Sequence, residues 1–420
     1  MPLSTEQVAP HAARFLAMLD AAFQGYGVPD GLPERLRAAV AVTPRHLFVH
    51  RFRIGDGALR DNDADPEQHL TDIYSDAVMR HVDAAGDPQP SSNSQPSYVL
   101  FLLHLLGLHD GRTVLEIGSG SGWLAAIMAQ LVGPQGRVTG VELINELAAQ
   151  SRADLDAVGL RNVEIIAGDG TRGHAAQAPY DAAIVTAAAW DVPTALLDQV
   201  AEGGRLLIPV ELRDGDGCDV TVLRKQGAAL LAQQSVPGWF VPLRGEGQDR
   251  TGVIRIPLPD GEPVGRHALP LGVLSDGRRA AAAALFRAFL GRTEQGFVVV
   301  ASESDDGWRP GIVVSPFGMK IRNFGIMAPD GSTALWRAGE IISHGSLSAA
   351  RRLARSYARW TEFGLPGIAD FRLEVHRADA APAATDELWV EPRGATVLAW
   401  RLQPRAAGWR DLLAADEVVD

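Results

Sequence analysis

The chain has 420 residues, 46% of them hydrophobic, and a formal net charge of -12 from 51 acidic and 39 basic side chains. At roughly 100–200 residues per domain, this length implies two or three folded units. The acidic balance disfavours nucleic acid as a partner, because like charges repel. Cys218 is the only cysteine, which excludes an internal disulfide and any cysteine-based metal motif. It suits a reducing compartment, and with no basic region ahead of an apolar run in MPLSTEQVAP a cytoplasmic location is expected. No uncharged apolar stretch of about 18 residues occurs, so no membrane span is expected.

Along the chain, Thr5 to Val42 shows helical spacing, with Phe15, Leu16, Leu19 and Phe23 on one face and Leu32, Leu36 and Val40 on another. Asp56 to Gln95 is polar and irregular and is expected to be loop, with a short strand near Ile73. Strands are then expected at Thr113–Ile117, Arg137–Val141, Asn162–Ile166, Asp181–Thr186 and Arg205–Val210. Helices are expected at Ser121–Val132, Asn145–Val158 and Pro193–Ala201. This alternation implies βαβ units and a parallel sheet. Val220–Arg224 and Ala229–Ser235 should form a closing hairpin around Gln226-Gly227.

Pro257–Gly265 is predicted to be a linker. An Ala-rich helix is expected at Gly277–Gly291, and a strong helix at Leu347–Phe363 with Ser346 or Ser348 as cap. Strands are expected at Gly296–Ala301, Gly311–Val314, Leu373–His376, Leu388–Val390 and Val397–Leu402. The fold class is α/β, with a helical N-terminal segment and substrate loop at 1–90 and a Rossmann-like domain at 91–250. A second, smaller α+β domain follows at 251–420.

The central motif is Val114-Leu115-Glu116-Ile117-Gly118-Ser119-Gly120-Ser121-Gly122, a buried strand running into a glycine turn that opens a helix. Glycines allow close backbone approach to a ligand and tolerate positive φ. A dinucleotide fold prefers G-x-G-x-x-G. Here the spacing is G-x-G-x-G after a glutamate, and a carboxylate suits a cationic amino-acid end better than a diphosphate. A purely structural turn is the bland alternative. Glu142, at the end of the next strand, can accept from ribose hydroxyls in nicotinamide and adenosylmethionine cofactors alike. Asp169 in Gly168-Asp169-Gly170 can accept from an adenine amino group, or merely shape a turn.

These residues resemble the protein-L-isoaspartate (D-aspartate) O-methyltransferases. The likeness lies in Val114–Ala126, Val141-Glu142, Gly168–Gly170, Pro179–Asp181, Val185–Ala188, Gly203–Val210 and Phe240–Leu243. Upstream, Pro44–Val49 resembles the family's P-R-x-x-F-V segment and Ser92–Pro96 its T-x-S-Q-P loop. The resemblance covers roughly Leu32 to Gly245. It implies a Rossmann-like methyltransferase using S-adenosylmethionine (AdoMet). Glu116, Gly118 and Gly120 would line the methionine end, Glu142 would hold the ribose, and Asp169 with Gly170 the adenine, while Ser119, Gly122 and Leu143 would also bind the cofactor. Ser92 and Ser94 would serve catalysis and, with Gln95 and Thr186, face the substrate, a peptide or protein bearing Asp or isoaspartate.

Four departures bear on the substrate. Asn93 stands where the family usually has an apolar residue, Trp123 replaces a frequent smaller aromatic, the polar segment before Ser91 is unusual, and about 170 residues follow the methyltransferase region. Such extended forms resemble a branch that methylates aspartate in ribosomally made peptides, the ester passing to aspartimide or isoaspartate. Isoaspartyl repair is the alternative, and a non-catalytic AdoMet-binding scaffold a third.

A peptide carboxylate, with a reference pKa near 4, is already ionised at neutral pH, so no general base is required. Ser92 and Ser94 could instead cap the helix that starts at Pro96. The histidines, His46, His50, His104, His174 and His344 among them, show no metal-ligand spacing, and no metal is expected. Ser119 and Ser121 lack a triad context. Arg351, Arg355 and Arg359 share a helix face, which is either solvated or a basic patch for an acidic peptide.

Overall fold

A reciprocal pair of hydrogen bonds opens the first helix. In the computed structural model, which describes residues 3–213, 217–248, 254–256, 259, 262–268, 276–300, 324–337, 340–367 and 370–403, the Ser4 hydroxyl accepts from the Gln7 amide and the Gln7 side chain accepts from the Ser4 amide. α1 (Thr5–Gly25) buries Phe15, Leu19 and Phe23, and α2 (Glu34–Ala41) buries Leu36 and Val40, as the apolar spacing predicts.

The segment expected to be loop is instead ordered structure. β1 (Arg51–Ile54), β2 (Arg60–Asp61), β3 (Met79–Val82) and β4 (Pro88–Asn93) form a four-stranded sheet in the order β2-β1-β3-β4. Ile73 ends a helix, α3 (Pro66–Ile73), and is not in a strand. The Asp65 side chain caps α3, Pro66 opens it, and Leu70 and Ile73, three residues apart, are buried together. The strands are too short and polar for an alternating apolar pattern to show.

Next come α4 (Pro96–Leu106), β5 (Thr113–Ile117), α5 (Trp123–Val132), β6 (Arg137–Glu142), α6 (Asn145–Ala157), β7 (Val163–Ala167), β8 (Tyr180–Val185), α7 (Thr194–Gln199), β9 (Val200–Glu211), β10 (Cys218–Gln226) and β11 (Ala229–Gly238). The strands lie in the order β11-β10-β9-β8-β5-β6-β7. β5 pairs in parallel with both β6 and β8. The chain winds outward from β5 through β6 to β7, then returns to β8 on the other side of β5. That reversal creates a crevice at the carboxyl ends of β5 and β8, where open α/β sheets bind ligands. α5 is buried nearly all round, from Trp123 to Val132. α7 is shorter than expected and β9 starts earlier, its Gly203 at φ +74° beside a register shift against β8.

The chain divides into two compact units. One comprises Met1–Val210 and Val220–Gln248, and the other Glu211–Asp219 and Asp249–Asp420. In the second unit, β12 (Ile254–Ile256), β13 (Gly265–Ala268), α8 (Asp276–Thr293), β14 (Phe297–Val300), β15 (Phe324–Met327), β16 (Thr333–Arg337), β17 (Glu340–His344) and α9 (Ser348–Glu362) precede β18 (Phe371–Arg377), β19 (Leu388–Pro392) and β20 (Thr396–Leu402). One sheet runs β12-β14-β15-β16-β17-β13, and β20 lies between β19 and β18. Phe286 of α8 meets Trp336 at 5.2 Å and Trp360 of α9 at 5.1 Å between ring centroids, an aromatic core.

The helices at 276–293 and 348–362 and the last three strands match expectation. The sequence pattern does not show β12, β13 or β15 to β17, and the strand expected at Gly311–Val314 lies outside the described residues. Ser346 contributes to the start of α9, its hydroxyl accepting from the Ser348 amide at 3.1 Å. No described helix is long and apolar enough to cross a membrane.

Candidate functional site

Gly118, Gly120 and Gly122 carry φ of +86°, +52° and +80°, so the turn after β5 uses the left-handed freedom of glycine at three positions. A Cβ on Gly118 would come within 2.9 Å of the Thr186 hydroxyl, which donates to the Gly118 carbonyl at 2.9 Å. Gly120 is held at both ends. Its N–H donates to Oε2 of Glu142 at 2.8 Å, and its carbonyl accepts from the Ser151 hydroxyl at 2.6 Å. The other Glu142 oxygen accepts from the Ile144 amide at 2.9 Å.

Two small hollows lie along this turn. One, of about 90 Å³, is lined by Gly118, Glu142, Leu143, Gly170 and Thr186. The second, of about 40 Å³, is lined by Glu116, Gly118, Ser119, Gly120 and the serines Ser92 and Ser94. Glu116 is 1% exposed and its Oε2 has no hydrogen-bond partner. Burial pushes its carboxyl up to about 8, against the Ser119 hydroxyl and with help from the Glu142 carboxylate. A buried acceptor left bare costs free energy that an incoming ammonium removes. The bare oxygen, the acid at the end of β6 and the glycine cradle fit the amino-acid and ribose ends of AdoMet.

Asp169 and Gly170 separate here. Gly170 lines the larger hollow, whereas the Asp169 carboxylate accepts from the Thr171 amide and hydroxyl at 2.9 and 2.7 Å and from the Glu246 amide at 3.1 Å. Burial would raise its pKa, but these donors outweigh that and hold it below the ordinary value. Turn capping is therefore a task Asp169 performs in this structure.

Ser92 and Ser94 are half-buried and do not cap α4, whose N-cap Gln95 receives no side-chain hydrogen bond. Both open onto a further groove of about 660 Å³, which Gln95 also lines. The Gln95 amide is engaged, donating to Asp76 at 2.7 Å. Asp76 also takes the Ser97 amide and hydroxyl, at 2.8 and 2.7 Å, and so anchors the start of α4.

Between the two serines, Asn93 turns to the cofactor turn, where its Oδ1 accepts from the Ser121 hydroxyl at 2.7 Å. Beside it His81 is buried, its Nε2 without a partner, and burial pulls its pKa down to about 4. Asp76 reaches from a loop to the start of α4, and His81 and Asn93 sit on neighbouring strands, relations that spacing along the chain does not reveal. Arg45 was part of the P-R-x-x-F-V match, and the structure explains it. The side chain is 1% exposed, donates to the Ile73 and Ser75 carbonyls at 2.8 and 2.9 Å, and lies 5.3 Å from the Trp123 ring.

Among the described residues no cluster suits a metal ion. Of the expected arginine face of α9, Arg359 stacks over Trp389 at 5.6 Å while Arg351 and Arg355 are exposed; Arg352, off that face, pairs with Glu294 at 2.8 Å.

Residues 63–248 match the family model described as protein-L-isoaspartate(D-aspartate) O-methyltransferase. Protein-L-isoaspartate O-methyltransferase 2 of Archaeoglobus fulgidus is 37% identical over 220 residues, covering 51% of this chain and 87% of its own length. The protein-L-isoaspartate O-methyltransferase of Methanoregula boonei is 38% identical over 229 residues, 54% of this chain and 92% of its own. A solved structure titled protein-L-isoaspartate O-methyltransferase superposes with a TM-score of 0.51 at 20% identity, covering 86% of this chain and 96% of that one. That likeness is one of fold.

Proposed function

The chain belongs to the protein-L-isoaspartate O-methyltransferase family and is an AdoMet-dependent methyltransferase; from that premise we propose that it methylates an aspartate-derived carboxylate in a peptide or protein, foremost the α-carboxylate of an L-isoaspartyl residue. The observation that carries this reading is Ser92, which lines both cofactor hollows and the open groove. AdoMet, when bound, supplies a methyl group on a positively charged sulfur. Glu116, Gly118, Ser119, Gly120 and Gly122 would hold its amino-acid end, Glu142 and Leu143 its ribose, and Asp169 and Gly170 its adenine.

The acceptor carboxylate needs no base, being ionised at neutral pH. The protein's task is to align it and partly strip its water. The Ser92 and Ser94 hydroxyls donate to one carboxylate oxygen and leave the other free to attack. Gln95 and Thr186 complete the substrate side. Weak donors serve best, since a tight grip would stabilise the ground state as well.

A second reading takes its support from the about 170 residues that follow the methyltransferase region. Here the acceptor is the side-chain carboxylate of a normal aspartate in a ribosomally made peptide. The backbone amide nitrogen then attacks the ester carbonyl, a C–N bond forms, and methoxide leaves with the amide proton as methanol. In this reading residues 1–90 supply the substrate loop, 91–250 the chemistry and 251–420 the recognition of the peptide.

Labelled AdoMet with, in parallel, a generic isoaspartyl peptide and a constrained peptide containing normal aspartate tests both. Label only in the generic peptide supports the first reading, and label only in the constrained one supports the second. Label in neither overturns both and leaves an AdoMet-binding scaffold.

A further inference from the structure

Large apolar side chains are rarely exposed in clusters, and three stand around one groove: Trp239 at 57%, Val78 at 47% and Val241 at 38% exposure. The wall that carries two of them is fixed. The Tyr98 hydroxyl donates to the Pro237 carbonyl at 2.7 Å, and the Ala188 amide donates to the Val241 carbonyl at 2.8 Å. Trp239 therefore projects from a braced segment. The volume of about 660 Å³ falls in the roughly 300–1,000 Å³ range of ligand sites.

Opposite this wall stands Arg80. It is the cross-strand partner of Ser92 in the β3–β4 pairing, so the two side chains leave the sheet on the same face. Among the described residues lining the groove Arg80 is the only cation, and no carboxylate lines it. Its ion pair is with Asp56 at 3.8 Å, where the acid is 91% exposed, an arrangement of little strength. A guanidinium fork matches a carboxylate in two parallel hydrogen bonds. The serines already serve the carboxylate that accepts the methyl group.

We propose that Arg80 and Trp239 set sequence preference, selecting peptides with a second carboxylate next to the methyl acceptor and a bulky apolar residue on its other side. This rests on the peptide carboxyl methyltransferase reading and names the peptide class within it. In a chain of net charge -12, a cation in the groove held only by a weak, exposed ion pair is what admits an acidic segment.

The test uses the full chain and isoaspartyl peptides with Phe before the acceptor and Glu, Gln or Lys after it, together with matched normal-aspartate peptides. The wild type should favour Glu over Lys in kcat/KM by about two- to fivefold, the size an exposed ion pair supplies. Arg80→Glu should reverse that order and Arg80→Gln should level it, with AdoMet affinity by calorimetry unchanged in both. Trp239→Ala should raise KM for the Phe peptides and leave a Gly-flanked peptide unaffected. The same ranking in the wild type and Arg80→Glu overturns the proposal. Methyl transfer to no peptide overturns the carboxyl methyltransferase reading, and this inference with it.

Discussion

The Asn93 carboxamide accepts a hydrogen bond from the Ser121 hydroxyl at 2.7 Å, joining the strand that carries the substrate-side serines to the turn that cradles the cofactor. Ser121 is buried, so removing its acceptor strands a hydroxyl at a cost of about 1–3 kcal/mol. Asn93→Leu should therefore weaken AdoMet binding in calorimetry, while Asn93→Asp, which keeps an acceptor, should retain most of it. Equal affinity in the wild type and the leucine variant would show that the link does not support the turn.

Glu116 gives a proton-linked prediction. Its carboxyl titrates near 8 in the cofactor-free protein, so it is protonated at neutral pH. An ammonium beside it favours the carboxylate. Binding should then release a proton, and AdoMet affinity should rise from about pH 6 to about pH 7.5. Calorimetry in buffers of different ionisation enthalpy reads the proton directly. Glu116→Gln should abolish the release and lower the affinity.

Ser94 and Asp169 should separate chemistry from cofactor binding. Ser94→Ala is expected to lower the methylation rate with AdoMet affinity nearly unchanged. Asp169→Ala should weaken the cofactor first, because the Asp169 carboxylate organises the turn at Gly170 and Thr171. Equal losses of rate and affinity in Ser94→Ala would remove it from the substrate side.

His50 lies between Asp154 and Asp63, with ring nitrogens 2.9 and 2.7 Å from their carboxylates. The Asp154 hydrogen bond, opposed by burial and helped by Asp63, raises its pKa from 6.5 to about 9. A raised folded-state pKa means stability that is fully present below pH 6.5 and lost as pH rises toward 9. Thermal unfolding should show the wild type losing its advantage over His50→Gln across that window. A constant difference in Tm would mean that the imidazolium contributes nothing.

The parallel sheet was legible because buried strands such as Val114–Ile117 are short apolar runs, interrupted there only by Glu116, that end in glycines. Glu116 and Glu142 were legible for the same reason, since an acid inside such a run has no packing role. The four-stranded sheet was not. β4 holds two prolines and two serines, and its neighbours are short, so no alternation marks them. The pairing of Arg80 with Ser92 and the burial of His81 depend on that hidden register. The structure also shows Asp169 shaping its own turn, one of the two tasks the motif leaves open.

β4 also constrains how the enzyme can diversify. Successive residues of a strand face opposite sides, so Ser92 leaves β4 on the face of its partner Arg80 and Asn93 on the other. An insertion or deletion of one residue within β4 would swap those faces, turning Ser92 away from the groove and breaking the Asn93–Ser121 hydrogen bond. The hairpin tip escapes this rule. Asp83 closes it through the Ala85 and Asp87 amides, each at 2.9 Å, and the register already shifts between Arg80 and Val82. Length variation among relatives with different acceptors should therefore collect at residues 83–87, while point substitutions alone alter the strand.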